Sequence, residues 1–186
     1  MKRAEVIAEA AIALLVERGM RGLTHRAVDE AAGLPPGSTS NLARTRAALL
    51  ELTLDHLTEQ EEALFAPLLA GGPPTDVDTL VDLMAHLAHL QLTVGRERTI
   101  ARYELALEAT RRPELRRIYD RSGRRFREAA VTVLSAAGST DPVRHGHRLV
   151  AFAEGVLFDA IAGAGTEPTP EDLRLGLREL LRGMLG

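Results

Sequence analysis

Apolar positions recur every three or four residues along almost the whole chain, and the pattern fails where glycine and proline stand. Val6, Ile7, Ala10, Ala11, Leu14 and Leu15 form one stripe with Glu5, Glu9 and Glu17 off it, the period of an amphipathic helix. That helix is predicted to stop at Gly19, a residue suited to the left-handed conformation after a helix end. Thr24 then reads as the N-cap of a short helix, His25 to Ala32, closed by Gly33. Leu34-Pro35-Pro36 makes a turn, and a third short helix runs from Pro36 to Leu42. Thr45 is placed to cap a long helix from Arg46 towards Leu69.

The pattern breaks at Gly71-Gly72-Pro73-Pro74 and resumes at Thr75-Asp76 with Val77, Leu80, Val81, Met84, Leu87 and Ala88 on one face. A further helix covers Glu97 to Arg111 and ends before Pro113, because proline disfavours the helical conformation of the residue preceding it. From Pro113 to Ala137 the stripe passes through Leu115, Ile118, Tyr119, Ser122, Phe126, Ala129, Ala130 and Val133. Asp141-Pro142 and Thr169-Pro170 each pair an N-cap with a first-turn proline, and each opens one more helix.

Composition agrees with this reading. Alanine and leucine dominate, aromatics are only 3%, and β-branched residues are scarce, which favours helices over strands. The expected fold is all-α, with a helix-turn-helix domain over residues 1–50 joined by the long helix to a helical bundle over residues 51–186. The chain has no cysteine, so disulfides, cysteine-ligated metals and thiol nucleophiles are excluded. No apolar run reaches the roughly 18 to 20 residues of a membrane span, and no signal peptide is read, so the expectation is a cytoplasmic protein that engages no membrane.

The first fifty residues carry the chemistry. Two short helices around a tight turn outline a helix-turn-helix, whose second helix lies in the major groove of DNA. Here that helix holds Gly37-Ser38-Thr39-Ser40-Asn41, short hydroxyl and amide side chains suited to close approach to phosphates and base edges. They are poor helix-interior residues, so local propensity does not account for them. Arg46 falls in the first turn of the long helix, where its charge opposes the helix dipole and a neighbouring phosphate would offset that cost. The alternative, a polar surface loop, stays open on composition alone. Residues 1–56 carry seven basic and seven acidic side chains, so any basic face must be local, built from Arg21, Arg26, Arg44 and Arg46.

The run from Ala4 to Leu50, with its opening AA-x-x-L-x-x-x-G, then LTHRAVDEAAGL, GSTSN and R-A-A-L-L, resembles the N-terminal domain of the TetR family of transcriptional regulators. The resemblance implies that Thr24, His25 and Arg26 donate to phosphates, and that Ser38, Thr39, Ser40 and Asn41 lie against the groove, with Thr39 and Asn41 on the bases. It also implies that Arg46 grips phosphate beside Arg44. Ala10, Ala11, Leu14, Val28, Ala32 and Leu49 are expected in the core. The aromatic pair usual in the family after the reading helix is replaced by Leu42-Ala43. A C-terminal domain that binds a small molecule and dimerises through its last two helices is implied as well.

Within the C-terminal region, Arg102 to Asp120 resembles one branch of TetR-like sensors. Met84, Tyr103, Glu104, Tyr119, Phe126 and Phe152 are candidates for an effector site, with core filling as the alternative. Leu149, Ala153, Val156 and Ala160, with Leu173, Leu177, Leu180 and Leu181, are candidates for a dimer interface built as a four-helix bundle across a two-fold axis. Residues 111–127 hold eight arginines against Glu114 and Asp120, read as a solvated face. Asp82, His86 and His89, and the pair His145 and His147, have helical spacing that arises often by chance, so neither a metal nor another cofactor is assigned.

The combined reading is a homodimeric repressor released from a palindromic, double-stranded DNA operator by an unidentified small-molecule effector. An enzyme lacks support, because the sequence offers no nucleophile elbow and no strong ligand cluster. A helical dimeric scaffold, or a small-molecule-binding protein that does not bind DNA, is the remaining alternative.

Overall fold

The computed structural model describes residues 2–186. Among them the chain forms nine helices and no strand: α1 (Arg3–Gly22), α2 (His25–Ala31), α3 (Ser38–Leu42), α4 (Arg46–Leu69), α5 (Val77–Leu92), α6 (Arg96–Ala109), α7 (Pro113–Ala136), α8 (Pro142–Ile161) and α9 (Pro170–Leu185). Capping side chains set the starts. Thr24 Oγ1 accepts the Ala27 N–H at 3.1 Å, Thr45 Oγ1 that of Ala48 at 3.1 Å, and Asp76 Oδ1 that of Thr79 at 2.8 Å. Each satisfies one of the N–H groups that a helix start leaves open. Asp141 and Thr169 act likewise, each followed by proline, and Thr169 forms a capping box with Asp172.

Three boundaries differ from the expected ones by two residues or more. Gly19 has φ 62° and ψ −170°, a conformation essentially reserved for glycine, but the helix resumes beyond this kink and α1 continues to Gly22. Gly37 takes φ 88° and turns the chain immediately before α3, which therefore starts at Ser38 rather than Pro36. At its end α6 stops at Ala109, where the N–H groups of Thr110 and Arg111 bond the carbonyls of Leu107 and Glu108, tightening the chain ahead of Pro113.

The chain packs as two compact units, Met1–Glu62 with Glu97–Ser122, and Ala63–Arg96 with Gly123–Gly186. Residue 50, the expected boundary, falls inside α4. In the first unit Ile7, Ala11, Leu14, Leu15, Leu23, Val28, Leu49, Leu50, Leu54 and Leu57 form a core with Ala101, Leu105, Ala109, Leu115 and Ile118 from α6 and the start of α7. Of the expected core residues, Ala10, Ala11, Leu14, Val28 and Leu49 are buried, and Ala32 packs at the edge. Arg102 of α6 and Glu61 of α4, both nearly buried, form an ion pair at 3.3 Å in this unit.

In the second unit α5 packs against α9 and α8. Leu80, Val81, Ala85, Ala88 and Leu92 of α5 are buried, as are Leu149 and Leu157 of α8 and Leu173, Leu177 and Leu181 of α9. Ion pairs from Arg174 to Asp82 (2.9 Å) and from Arg178 to Asp78 (3.7 Å) join α9 to α5 at the rim. Gly146 lets α8 approach α7, since a Cβ there would come within 2.9 Å of the Val131 backbone nitrogen. Among the described residues no helix is long and apolar enough to cross a membrane.

Candidate nucleic-acid interface

The turn between α2 and α3 is organised by one buried carboxylate. Asp29, 4% exposed, accepts the Gly37 N–H through Oδ2 at 2.7 Å. Its Oδ1 accepts both the Thr39 N–H at 2.7 Å and the Thr39 hydroxyl at 2.6 Å. A carboxylate aimed at otherwise unbonded N–H groups of a helix start is well placed. Burial is the largest single influence on Asp29 and acts against its charge. The bonds from Thr39 and Gly37, with His25 nearby, outweigh it and hold the carboxyl below its ordinary value.

The lock corrects part of the expected interface. Thr39 is 0% exposed and its hydroxyl is given to Asp29, so it cannot reach a base. Ser38 is also buried; its hydroxyl donates to the Pro35 carbonyl at 2.6 Å and accepts from Arg3 Nη2 at 2.7 Å. Both side chains belong to the turn. Ser40 and Asn41 are exposed, and their side chains make no hydrogen bond among the described residues. Leu42 beside them is 49% exposed. The outward surface of α3 is therefore Ser40, Asn41 and Leu42.

Arg46 is engaged within the chain as well. Its guanidinium donates to the Met20 carbonyl at 2.6 Å and to the Leu23 carbonyl, closing the C-terminal end of α1. A cation beside open carbonyls at a helix C-terminus is favourable, which accounts for an arginine in the first turn of α4 without a phosphate. His25 is half-buried, and its Nε2–H donates to the Ala43 carbonyl at 2.7 Å, tying the start of α2 to the end of α3. The carbonyl can only accept, so this nitrogen carries the proton.

Three expected contacts remain at the surface. Thr24 is exposed at the start of α2, and Arg26 is exposed with its Nε donating to Glu30 at 2.8 Å. Arg44 is exposed and makes no hydrogen bond or ion pair among the described residues. Arg3 was missed by sequence reasoning, because its link to Ser38 spans 35 residues and leaves no local signature.

The tetracyclin repressor-like C-terminal domain family matches residues 75–186 of the chain. The chain belongs to the TetR family of transcriptional regulators. A TetR-family member from Streptomyces coelicolor A3 is 29% identical, with a TM-score of 0.77 over 97% of this chain and 98% of that one. The multidrug binding protein EbrR, complexed with ethidium, is 29% identical, with a TM-score of 0.73 over 96% of this chain and 98% of that one. A transcriptional regulator from Rhodococcus sp. Rha1, 23% identical over 98% of this chain and 95% of that one, shares the fold with a TM-score of 0.83. No curated protein sequence matches the chain.

The TetR match covers the region that holds the remaining candidates. The six effector candidates do not all fall in one unit: Tyr103, Glu104 and Tyr119 belong to the first, and Met84, Phe126 and Phe152 to the second. Tyr103 lies under the Arg102 guanidinium at 5.1 Å, and Tyr119 under that of Arg116 at 5.2 Å. Glu104 accepts the Met20 N–H at 3.3 Å. Phe126 meets Phe65 edge to face with centroids 6.2 Å apart. Phe152 packs where α9 carries Gly176, whose absent Cβ would stand 3.2 Å from the ring. Met84 is half-buried on α5.

Among the dimer candidates, Leu149, Leu173, Leu177 and Leu181 are buried within the single chain. Ala153, Val156, Ala160 and Leu180 are half-buried. The exposed apolar positions are others: Ala151, Gly155, Phe158 and Ala162 recur at helical spacing along α8 and its C-cap, and Leu175 stands out from α9. Asp82 is engaged by Arg174, and His145 Nδ1 by the Ser139 hydroxyl at 2.8 Å. Among the described residues no three metal-ligating side chains come together.

Proposed function

We propose that this TetR-family regulator binds operator DNA as a homodimer and that a small molecule releases it. The observation that carries the reading is the turn from Asp29 to Asn41. Asp29 and Arg3 hold the base of α3 rigidly, while Ser40, Asn41 and Arg44 stand outward with no partner among the described residues. Polar side chains preorganised on a short, firmly seated helix are what base-edge recognition in the major groove requires. Asn41 and Ser40 read bases; Arg44, Arg26 and Thr24 contact phosphate.

The exposed stripe of α8, centred on Gly155 and Phe158, supplies the dimer contact with Leu175 of α9. Small residues let two helices approach, and Phe158 provides apolar area. A two-fold dimer carries two copies of α3, one for each half-site, so the operator is palindromic. The effector reading is supported by the likeness to EbrR, a multidrug binding protein complexed with ethidium. A 100-fold loss of operator affinity requires about 2.7 kcal/mol of coupling, within the usual range.

Selection of bound fragments from random duplex DNA tests the reading. Enrichment of an inverted repeat is the expected outcome, with two chains per duplex in analytical ultracentrifugation. Failure to enrich any sequence, with folded protein, would leave a helical scaffold that does not read DNA.

A further inference from the structure

The lining of one groove in the first unit includes none of Ser40, Asn41 and Arg44. It is an open cleft of about 680 Å³, lined by Arg18 and Arg21 near the end of α1, Arg46 of α4, and Arg111 and Arg112 after α6, with Glu104 and Glu108 of α6. Five guanidinium groups against two carboxylates leave a formal surplus of three positive charges in the lining.

The acids do not cancel this surplus freely. Glu104 accepts the Met20 N–H at 3.3 Å. Glu108, 8% exposed, is held by Arg111 at 3.1 Å and by Arg112. Arg46 is bound to the Met20 and Leu23 carbonyls. Arg18 stands 3.4 Å from Glu17 in a surface ion pair, which water keeps weak. Arg21 is exposed and makes no hydrogen bond or ion pair among the described residues. Arg111 is 68% exposed in its side chain, so it keeps donors for a ligand while touching Glu108.

We propose that this groove binds a small, multiply charged oxyanion of the phosphate kind, gripped between Arg21 and Arg111 with Arg18 and Arg112 beside them. Guanidinium forks match the geometry of phosphate oxygens in pairs, and several converging forks favour an ion with more than one charge. The same chemistry could be offered by the DNA backbone. A concave cleft suits a free ion better than the broad convex surface of a duplex. The site bridges the end of α1, which leads directly into α2, and the corner between α6 and α7. An occupied groove therefore fastens these elements to one another.

The test is isothermal titration of the full chain with inorganic pyrophosphate at low salt, with no DNA present, so that its outcome is independent of the operator reading. Saturable binding at one site per chain is expected, together with a rise in Tm. The variant pair Arg21→Ala and Arg111→Ala should weaken binding tenfold or more. Arg124→Ala, an arginine of α7 outside the groove, should leave it unchanged. Arg111→Lys, which keeps the charge without the fork, should fall between them and shows that loss of affinity is not loss of fold. Absence of saturable binding in the wild type, or equal weakening by Arg124→Ala, overturns the proposal. If Arg111→Ala weakens duplex binding as much as pyrophosphate binding, and pyrophosphate displaces the duplex, the groove serves the DNA backbone and the free-ion assignment is overturned.

Discussion

Asp29 of α2 and Thr39 of α3 share two hydrogen bonds, 2.6 Å from the hydroxyl and 2.7 Å from the backbone N–H, both to the same carboxylate oxygen. The pair sits ten residues apart with the Gly37 turn between, so it fixes the angle at which α3 leaves α2. Replacing Asp29 by Asn keeps the shape but removes the charge and leaves buried donors facing an amide. We expect Asp29→Asn to cost about 1–3 kcal/mol of stability and to weaken operator binding without changing the preferred sequence. Thermal melts and fluorescence anisotropy measure the two effects. An unchanged Tm would show that the lock is not needed.

The same carboxyl predicts a pH dependence. Burial pushes it upward, but the Thr39 and Gly37 bonds and the His25 charge pull it further down, so its folded value lies below the ordinary one. A carboxyl depressed in the folded state contributes stability above its unfolded value, about 3.9, and loses it as pH falls through the folded value. Between pH 5 and 3, on the order of the carboxylate range, the wild type should lose more Tm than Asp29→Asn. Parallel curves for the two proteins would remove Asp29 from the acid response.

Arg46 gives a second contrast. If it closed a phosphate contact, Arg46→Ala would reduce the slope of log affinity against log salt by about 0.9. Bound to the Met20 and Leu23 carbonyls, it should instead cost about 1–3 kcal/mol of stability and leave the salt slope unchanged. Arg44→Ala should do the opposite, lowering affinity for all sequences with a slope reduced by about 1. A reduced slope for Arg46→Ala would return that residue to the phosphate surface.

Base reading is the role proposed for Asn41. Asn41→Ala should cost about 1–3 kcal/mol of discrimination at one position of each half-site, seen when the fragment selection is repeated with the variant. Thr39→Ser, which keeps the hydroxyl on Asp29, should leave the selected sequence as it is. A shift in base preference with Thr39→Ser would contradict the burial of that side chain.

Two leucine-rich helices separate core from contact surface. Leu177→Ala should destabilise the fold by about 2–5 kcal/mol, because Leu177 is 2% exposed in a single chain. Phe158→Glu should leave Tm of the fold nearly unchanged at high dilution but convert the dimer to a monomer in sedimentation experiments. A Phe158→Glu protein that sediments as a dimer would move the interface away from this face of α8.

Much of the architecture was legible because helices declare themselves locally. The caps at Thr24, Thr45, Asp76, Asp141 and Thr169 are short-range patterns, and the structure places a helix start at each. The roles of Thr39, Arg46 and Leu177 were not legible. A hydroxyl that faces DNA and one that faces Asp29 look alike in a sequence, and so do an arginine awaiting phosphate and one seated on carbonyls. A leucine stripe likewise names an apolar face without saying whether α5 or a second chain covers it.

By itself, then, the order of residues determined nine helices, their approximate limits and the likeness to a family, since period, capping and turn chemistry act over a few neighbours. Which side chain points where was decided by contacts across long stretches of chain. Arg3 reaches Ser38, His25 reaches Ala43, Arg46 reaches Met20, and Glu104 reaches the same residue 84 positions away. Such pairs form only once the helices have packed, because hydrogen-bonding groups left without water must find partners wherever the fold brings them.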